Sequence, residues 1–253
     1  MPKDGWARRF SILAVALFAL LFALVAAPGL PRAAGDDAYV LALTWHPGFC
    51  ETRHGREECQ VVIRSPDQQL VLHGLWPPRS RDYCGVRPEI IALDRRIEGE
   101  KSGRWADLPA LELSEAMRER LATVMPGARS GLERHEWYKH GSCITATPEA
   151  YYDTALRLAA EVRTTRFGRL LADSAGRTVK TSTLLRGFES EFGQGSGRAL
   201  TVLCRDGRLE EIRLFLDRGR IGQTFAADSL APQASVPRGN CGARFDITAA
   251  IGG

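Results

Sequence analysis

Residues 10–27 carry no charge, and Lys3, Arg8 and Arg9 precede them. Ala26-Ala27-Pro28-Gly29 ends the run, and beyond Asp36-Asp37 apolar and polar positions alternate in short stretches. A basic start, an apolar run and small residues describe a secretory signal, and the run is also near the lower limit for a single uncleaved membrane anchor. Residues 1–34 are therefore expected to be a signal or anchor. Residues 35–253 are expected to form one domain outside the cytoplasm.

Within that domain, Tyr39-Val40-Leu41-Ala42-Leu43-Thr44-Trp45 is rich in strand formers and stops at Pro47-Gly48, which predicts a strand. Leu70-Val71-Leu72 predicts a second, short one feeding His73-Gly74. Ser114 caps a predicted helix with Met117, Leu121 and Val124 on one face, ending at Pro126-Gly127. Thr147-Pro148 opens the clearest helix, with Tyr151, Ala155, Leu158 and Val162 at helical spacing. A shorter helix is expected over 183–192. Strands over 199–204 and 209–216 flank Asp206-Gly207, a hairpin signal. Strands at both ends with helices between predict an α+β fold with a mostly antiparallel central sheet and flanking helices. No glycine-rich phosphate loop precedes a helix, so nucleotide-cofactor folds find no support, and no cofactor is expected.

Charge changes the picture in one respect. The chain carries 34 basic and 30 acidic residues, but Lys3, Arg8, Arg9 and Arg32 stand against Asp4 alone in the first 34 positions. The folded body is close to neutral, so any polyanion site must be a local cluster. Six scattered cysteines, Cys50, Cys59, Cys84, Cys143, Cys204 and Cys241, contain no CxxC pair. Three disulfides and a secreted or periplasmic location are the natural reading, although six cysteines allow 15 pairings.

The chemistry concentrates in Leu72-His73-Gly74-Leu75-Trp76-Pro77-Pro78 and in His135-Glu136-Trp137-Tyr138-Lys139-His140-Gly141-Ser142-Cys143. At about 100° per residue, an α-helix over 135–140 gathers His135, Glu136, Lys139 and His140 in one sector and turns Trp137 and Tyr138 to the core. Packing alone gives no reason to collect two imidazoles, a carboxylate and an ammonium. A zinc-protease helix needs histidines at i and i+4, whereas here they stand five apart with Lys139 between, which argues against metal. The remaining histidines, His46 and His54, lie in a loop-like region and read as surface residues.

His-Gly-Leu-Trp-Pro at 73–77 and His-Glu-Trp-x-Lys-His-Gly at 135–141 resemble the two signature segments of the ribonuclease T2 family. Leu43-Thr44-Trp45-His46-Pro47-Gly48-Phe49-Cys50 also resembles its first strand and cysteine. The resemblance implies a metal-independent endoribonuclease that uses the ribose 2′-OH to form a 2′,3′-cyclic phosphate and then 3′-phosphate ends. It implies His140 as general base, His73 as general acid, His135 on the phosphate, and Glu136 and Lys139 at the transition state. The residue types by themselves do not tell acid from base. Trp76 reads either as a base-stacking surface or as a core tryptophan. Pro78 stands where fungal members carry an acidic residue, so low base specificity is expected. The resemblance also implies the pairs Cys84–Cys143, Cys204–Cys241 and Cys50–Cys59. RNA is the expected partner, with no DNA cleavage, a monomeric state, and membrane contact only through an uncleaved N-terminus. The alternative is a catalytically idle member binding RNA or protein, against which the intact set of five residues argues.

Overall fold

The computed structural model describes residues 37–61, 63, 65, 68–100, 104–233 and 239–249. The expected signal or anchor at 1–34 lies outside the described residues. Strand β1 (Tyr39–Trp45) has the bounds its pattern predicts and leads into a short helix, α1 (His46–Glu51), which Pro47 starts instead of ending the strand in a loop. Strand β2 (Leu70–Trp76) runs four residues beyond its predicted apolar end and so takes His73 into the sheet.

Helices α2 (Pro88–Gly99), α3 (Glu115–Val124) and α4 (Leu132–His135) follow. Next come α5 (Pro148–Thr164), α6 (Arg166–Asp173), strand β3 (Arg177–Lys180) and α7 (Thr181–Phe192). Ser114 Oγ accepts from Met117 N–H and Thr147 Oγ1 from Ala150 N–H, so both predicted caps form. The chain ends in the hairpin β4 (Leu200–Arg205) and β5 (Arg208–Leu216), then β6 (Arg244–Ile247). Asp206 and Gly207 both take positive φ, 50° and 76°, as a two-residue hairpin turn demands.

The six strands form one sheet in the order β2-β1-β5-β6-β3, with β4 also on β5; every pairing is antiparallel except β5 with β6. The α+β expectation holds. Leu41, Leu43 and Trp45 of β1 and Leu70, Leu72 and Leu75 of β2 bury one sheet face against Tyr151, Ala155, Leu158 and Val162 of α5. Those β2 leucines are spaced two and then three apart, which a regular strand cannot keep on one face. The register supplies the reason: Ala42 pairs with Gly74 but Leu43 with Leu72, leaving His73 as the extra residue of a β-bulge. At this edge of the sheet, the Tyr151 hydroxyl accepts from Leu75 N–H and donates to Leu75 C=O, satisfying backbone groups that lack a strand partner.

The three disulfides are Cys50–Cys59, Cys84–Cys143 and Cys204–Cys241, the implied pairs. They mark an extracellular-type protein. No helix among the described residues is long and apolar enough to cross a membrane.

Candidate active site

The second signature segment is not the α-helix its sector argument assumed. Glu136–His140 is a π-helical turn following α4, and Gly141 N–H reaches back to Glu136 C=O, five residues earlier. Residues five apart then stack above one another, which is the spacing of His135 and His140. Their rings meet edge to face at 6.0 Å. Trp137 and Tyr138 pack partly buried against the core, as their positions predict. Lys139 leaves the expected cluster in one respect: its Nζ pairs with Glu98 Oε1 of α2 at 2.5 Å.

The glycines of both signatures are set by close approach. A Cβ on Gly74 would lie 1.9 Å from Glu136 Oε2, and one on Gly141 would lie 2.8 Å from the Tyr151 ring. Glu136 therefore rests directly on the β2 backbone. Its side chain is 1% exposed, Oε2 accepts from Trp76 Nε1 at 2.8 Å, and Oε1 lies 3.5 Å from His73 Nε2. Burial raises its pKa, against the pull of His73, His135 and Trp76. Trp76 is half-buried, and the Arg213 guanidinium lies 4.7 Å from its ring. It is neither a core tryptophan nor open on both faces.

His73 Nδ1 is 2.6 Å from Glu211 Oε2. Burial alone would lower its pKa, but the Glu211 and Glu136 carboxylates outweigh burial and the opposing Arg213, and raise it to about 9. His140 has the opposite surroundings. Burial, then His135, Lys139 and His73, depress its pKa to about 2. Its Nδ1 lies 3.3 Å from Asp82 Oδ1 without the alignment of a hydrogen bond. His135 is fixed between Asp94, whose Oδ1 meets Nδ1 at 2.8 Å, and Trp105, whose ring stacks on it at 4.1 Å.

Five supporting residues escaped the sequence reading: Asp82, Asp94, Glu98, Glu211 and Arg213. Asp94 is fully buried on α2 and also accepts from Tyr83 Oη at 2.7 Å. A carboxylate in the apolar pattern of Ile90, Asp94 and Ile97 was the available signal. His46 is a correction. It is buried, not on the surface, with Nε2 3.3 Å from Val61 C=O and its ring against Cys50 Sγ, because Pro47 turns it inward at the start of α1. His54 is exposed as expected.

Among the described residues, His135, Glu136 and His140 offer ligand atoms within 4.8 Å of one another. Glu136 already accepts from Trp76 and faces His73, and Lys139 adds a nearby positive charge, so the surroundings oppose a cation. What the cluster offers is a cationic imidazole and a neutral one, on either side of a buried carboxylate. Such a pair can deliver one proton and accept another in the same step.

A family model described as Ribonuclease T2 family matches residues 36–228. The chain is 33% identical over 270 residues to Ribonuclease I of Escherichia coli strain K12, covering 97% of this chain and 98% of that protein. Its fold is similar to a variant of RNase MC1 in complex with 5′-UMP, with TM-score 0.51, 20% identity, and coverage of 84% of this chain and 98% of that one. It is also similar to the self-incompatibility-associated SF11-RNase of Nicotiana alata, with TM-score 0.53, 19% identity, and coverage of 82% and 95%. Every residue of the cluster falls inside the matched span, and the chain belongs to the ribonuclease T2 family, as an endoribonuclease of the T2 type.

Proposed function

We infer that this endoribonuclease cleaves RNA without a metal, by attack of the ribose 2′-OH on the adjacent phosphorus. His140 takes the 2′-OH proton, the new O–P bond closes a 2′,3′-cyclic phosphate, and His73 Nε2 protonates the departing 5′-oxygen. Water then opens the cyclic ester to a 3′-phosphate with the two imidazoles in reversed roles, as microscopic reversibility requires. His135 binds the phosphate, and Lys139 and Glu136 act on the charge that gathers at phosphorus.

The observation that carries this reading is the difference in surroundings: His73 lies between two carboxylates, Glu211 at 2.6 Å and Glu136 at 3.5 Å, whereas His140 is buried beside His135 and Lys139 with the unaligned Asp82 at 3.3 Å. Carboxylates hold His73 protonated, while burial and cations hold His140 neutral. When the acid has the higher pKa and the base the lower, both are in their working forms together over a wide pH range. Residue types left acid and base open; this asymmetry supports His73 as acid and His140 as base.

The Arg213 guanidinium against Trp76, with Pro78 in place of an acidic residue, supports loose base recognition by stacking. Three disulfides support a periplasmic or secreted enzyme. Digestion of RNA in excess EDTA with end-group analysis tests the mechanism. Cyclic phosphate formed in EDTA is the expected result. EDTA-sensitive cleavage would revive the metal reading of His135, Glu136 and His140, and absence of cleavage the idle one.

A further inference from the structure

The signature segments supply the reacting groups, yet the tightest polar contact of His73 is to neither of them. It is to Glu211 in β5, two strands away across β1. Strands about 4.8 Å apart put these backbones roughly 10 Å from each other, so both side chains must lean toward one another over β1. Ala42 and Gly74 make room. In the register Gly74, Ala42 and Arg213 form one line across the three strands, and Thr44 pairs with Glu211. The bulge at His73 turns its ring toward Glu211. Glu211 is buried at 6% exposure, and its second oxygen accepts from Arg213 Nε at 2.6 Å.

We propose that Glu211, clamped by Arg213, is the positioning residue of His73: it accepts a hydrogen bond from Nδ1–H and thereby presents Nε2–H as the proton-donating atom. A histidine with one nitrogen bound to a carboxylate has its tautomer and ring orientation fixed by that bond. Here the other nitrogen faces Glu136, on the side of the signature cluster. Arg213 balances the charge of Glu211 and bears on the Trp76 ring, so a single strand orients both the acid and the indole. The groups facing His73 are Glu211 and Arg213 from β5, Glu136 and His140 from the π-turn, and Trp76 from its own strand. His46 and Glu58 line the small cavity on its remaining side. Burial and Arg213 favour the neutral ring, and Glu136 cannot fix Nδ1. Glu211 is the group that does both tasks.

The proposal rests on His73 being the general acid, and the test separates the two. Glu211→Gln keeps the shape of the side chain and removes its charge. Its rate on a dinucleotide is expected to fall at least tenfold, with the alkaline limb of kcat/KM moving at least one unit toward 6.5. The NMR titration of the His73 ring in the folded protein should move with it. A uridine 3′-phosphate p-nitrophenyl ester, whose leaving group needs no acid, should recover most of the loss. An unmoved limb and an unmoved His73 titration, with His73→Ala still inactive, overturn the role of Glu211 alone. Full activity of His73→Ala overturns the reading of His73, and the proposal with it.

Discussion

At the scale of single residues, the proposed mechanism depends on two histidines of one kind held in opposite states. The pH profile of kcat/KM should reflect that as a broad plateau. His73 must be protonated to act, so activity falls as pH rises through about 9. His140 must be neutral, and with its pKa depressed to about 2 the acidic limb lies far below the usual histidine value of 6.5. Glu136, raised by burial, protonates before His140 does and sets that limb if its charge is needed. A narrow bell centred near 6.5 would contradict the asymmetry. His73→Ala and His140→Ala should each lose roughly 10²–10⁴-fold. The p-nitrophenyl substrate should restore much of the first loss and little of the second, and rescue of His140→Ala instead would reverse the roles. Gly74→Ala tests packing rather than proton transfer. Its Cβ would displace Glu136 from the strand it rests on, and a displacement of that size should cost roughly 10²-fold in kcat. Unchanged kcat would show that Glu136 has room to move without consequence.

At the scale of elements, the π-turn is positioned from three sides. Strand β2 meets it through Glu136 and Trp76, and α2 holds His135 through Asp94 and Lys139 through Glu98. The loop after β2 is the third, where Tyr83 N–H donates to Lys139 C=O at 2.9 Å and Cys84 is bonded to Cys143. That bridge therefore fixes the loop carrying Asp82 and Tyr83 against the segment that carries His140. Cys204–Cys241 joins the hairpin to the chain before β6, away from these contacts. Loss of either bridge should cost about 2–4 kcal/mol of stability. Per folded molecule, however, replacing Cys84 or Cys143 should reduce activity more than replacing Cys204 or Cys241. Equal specific activities, corrected for folded fraction by circular dichroism, would deny the bridge any part in the site. Helix α2 was not legible as a holder of His135. Its pattern of Ile90, Asp94 and Ile97 shows a buried face, but nothing local says what Asp94 faces.

For the molecule as a whole, the proposed mechanism takes its nucleophile from the substrate. Removing the 2′-OH leaves His140 nothing to activate, so single-stranded DNA and 2′-O-methylated RNA should survive amounts of enzyme that digest plain RNA completely. Efficient cutting of either, followed by gel electrophoresis, would sink the mechanism while leaving the family assignment intact. The near-neutral body fits an enzyme that recognises phosphate with a local cluster and not with a general positive field.

The sequence by itself marked out the candidate set, because His73, His135, Glu136, Lys139 and His140 lie in two short segments and packing alone gives no reason to gather them. It also determined the principal strands and helices, whose apolar periods and caps are local: Ser114, Thr147 and Asp206-Gly207 act within a few residues of themselves. What each imidazole does was decided only by tertiary structure. His73 takes its charge environment from Glu211 of β5, far along the chain, and from Glu136 across the site, while His140 is set by burial and by His135, Lys139 and His73 packed around it, and burial and electrostatic fields act through space. The π-turn was likewise visible only in the tertiary structure: an α-helical count of the same six residues puts His135 and His140 at the two ends of their shared sector, and the turn, held against β2 and α2, closes that sector until the two rings meet.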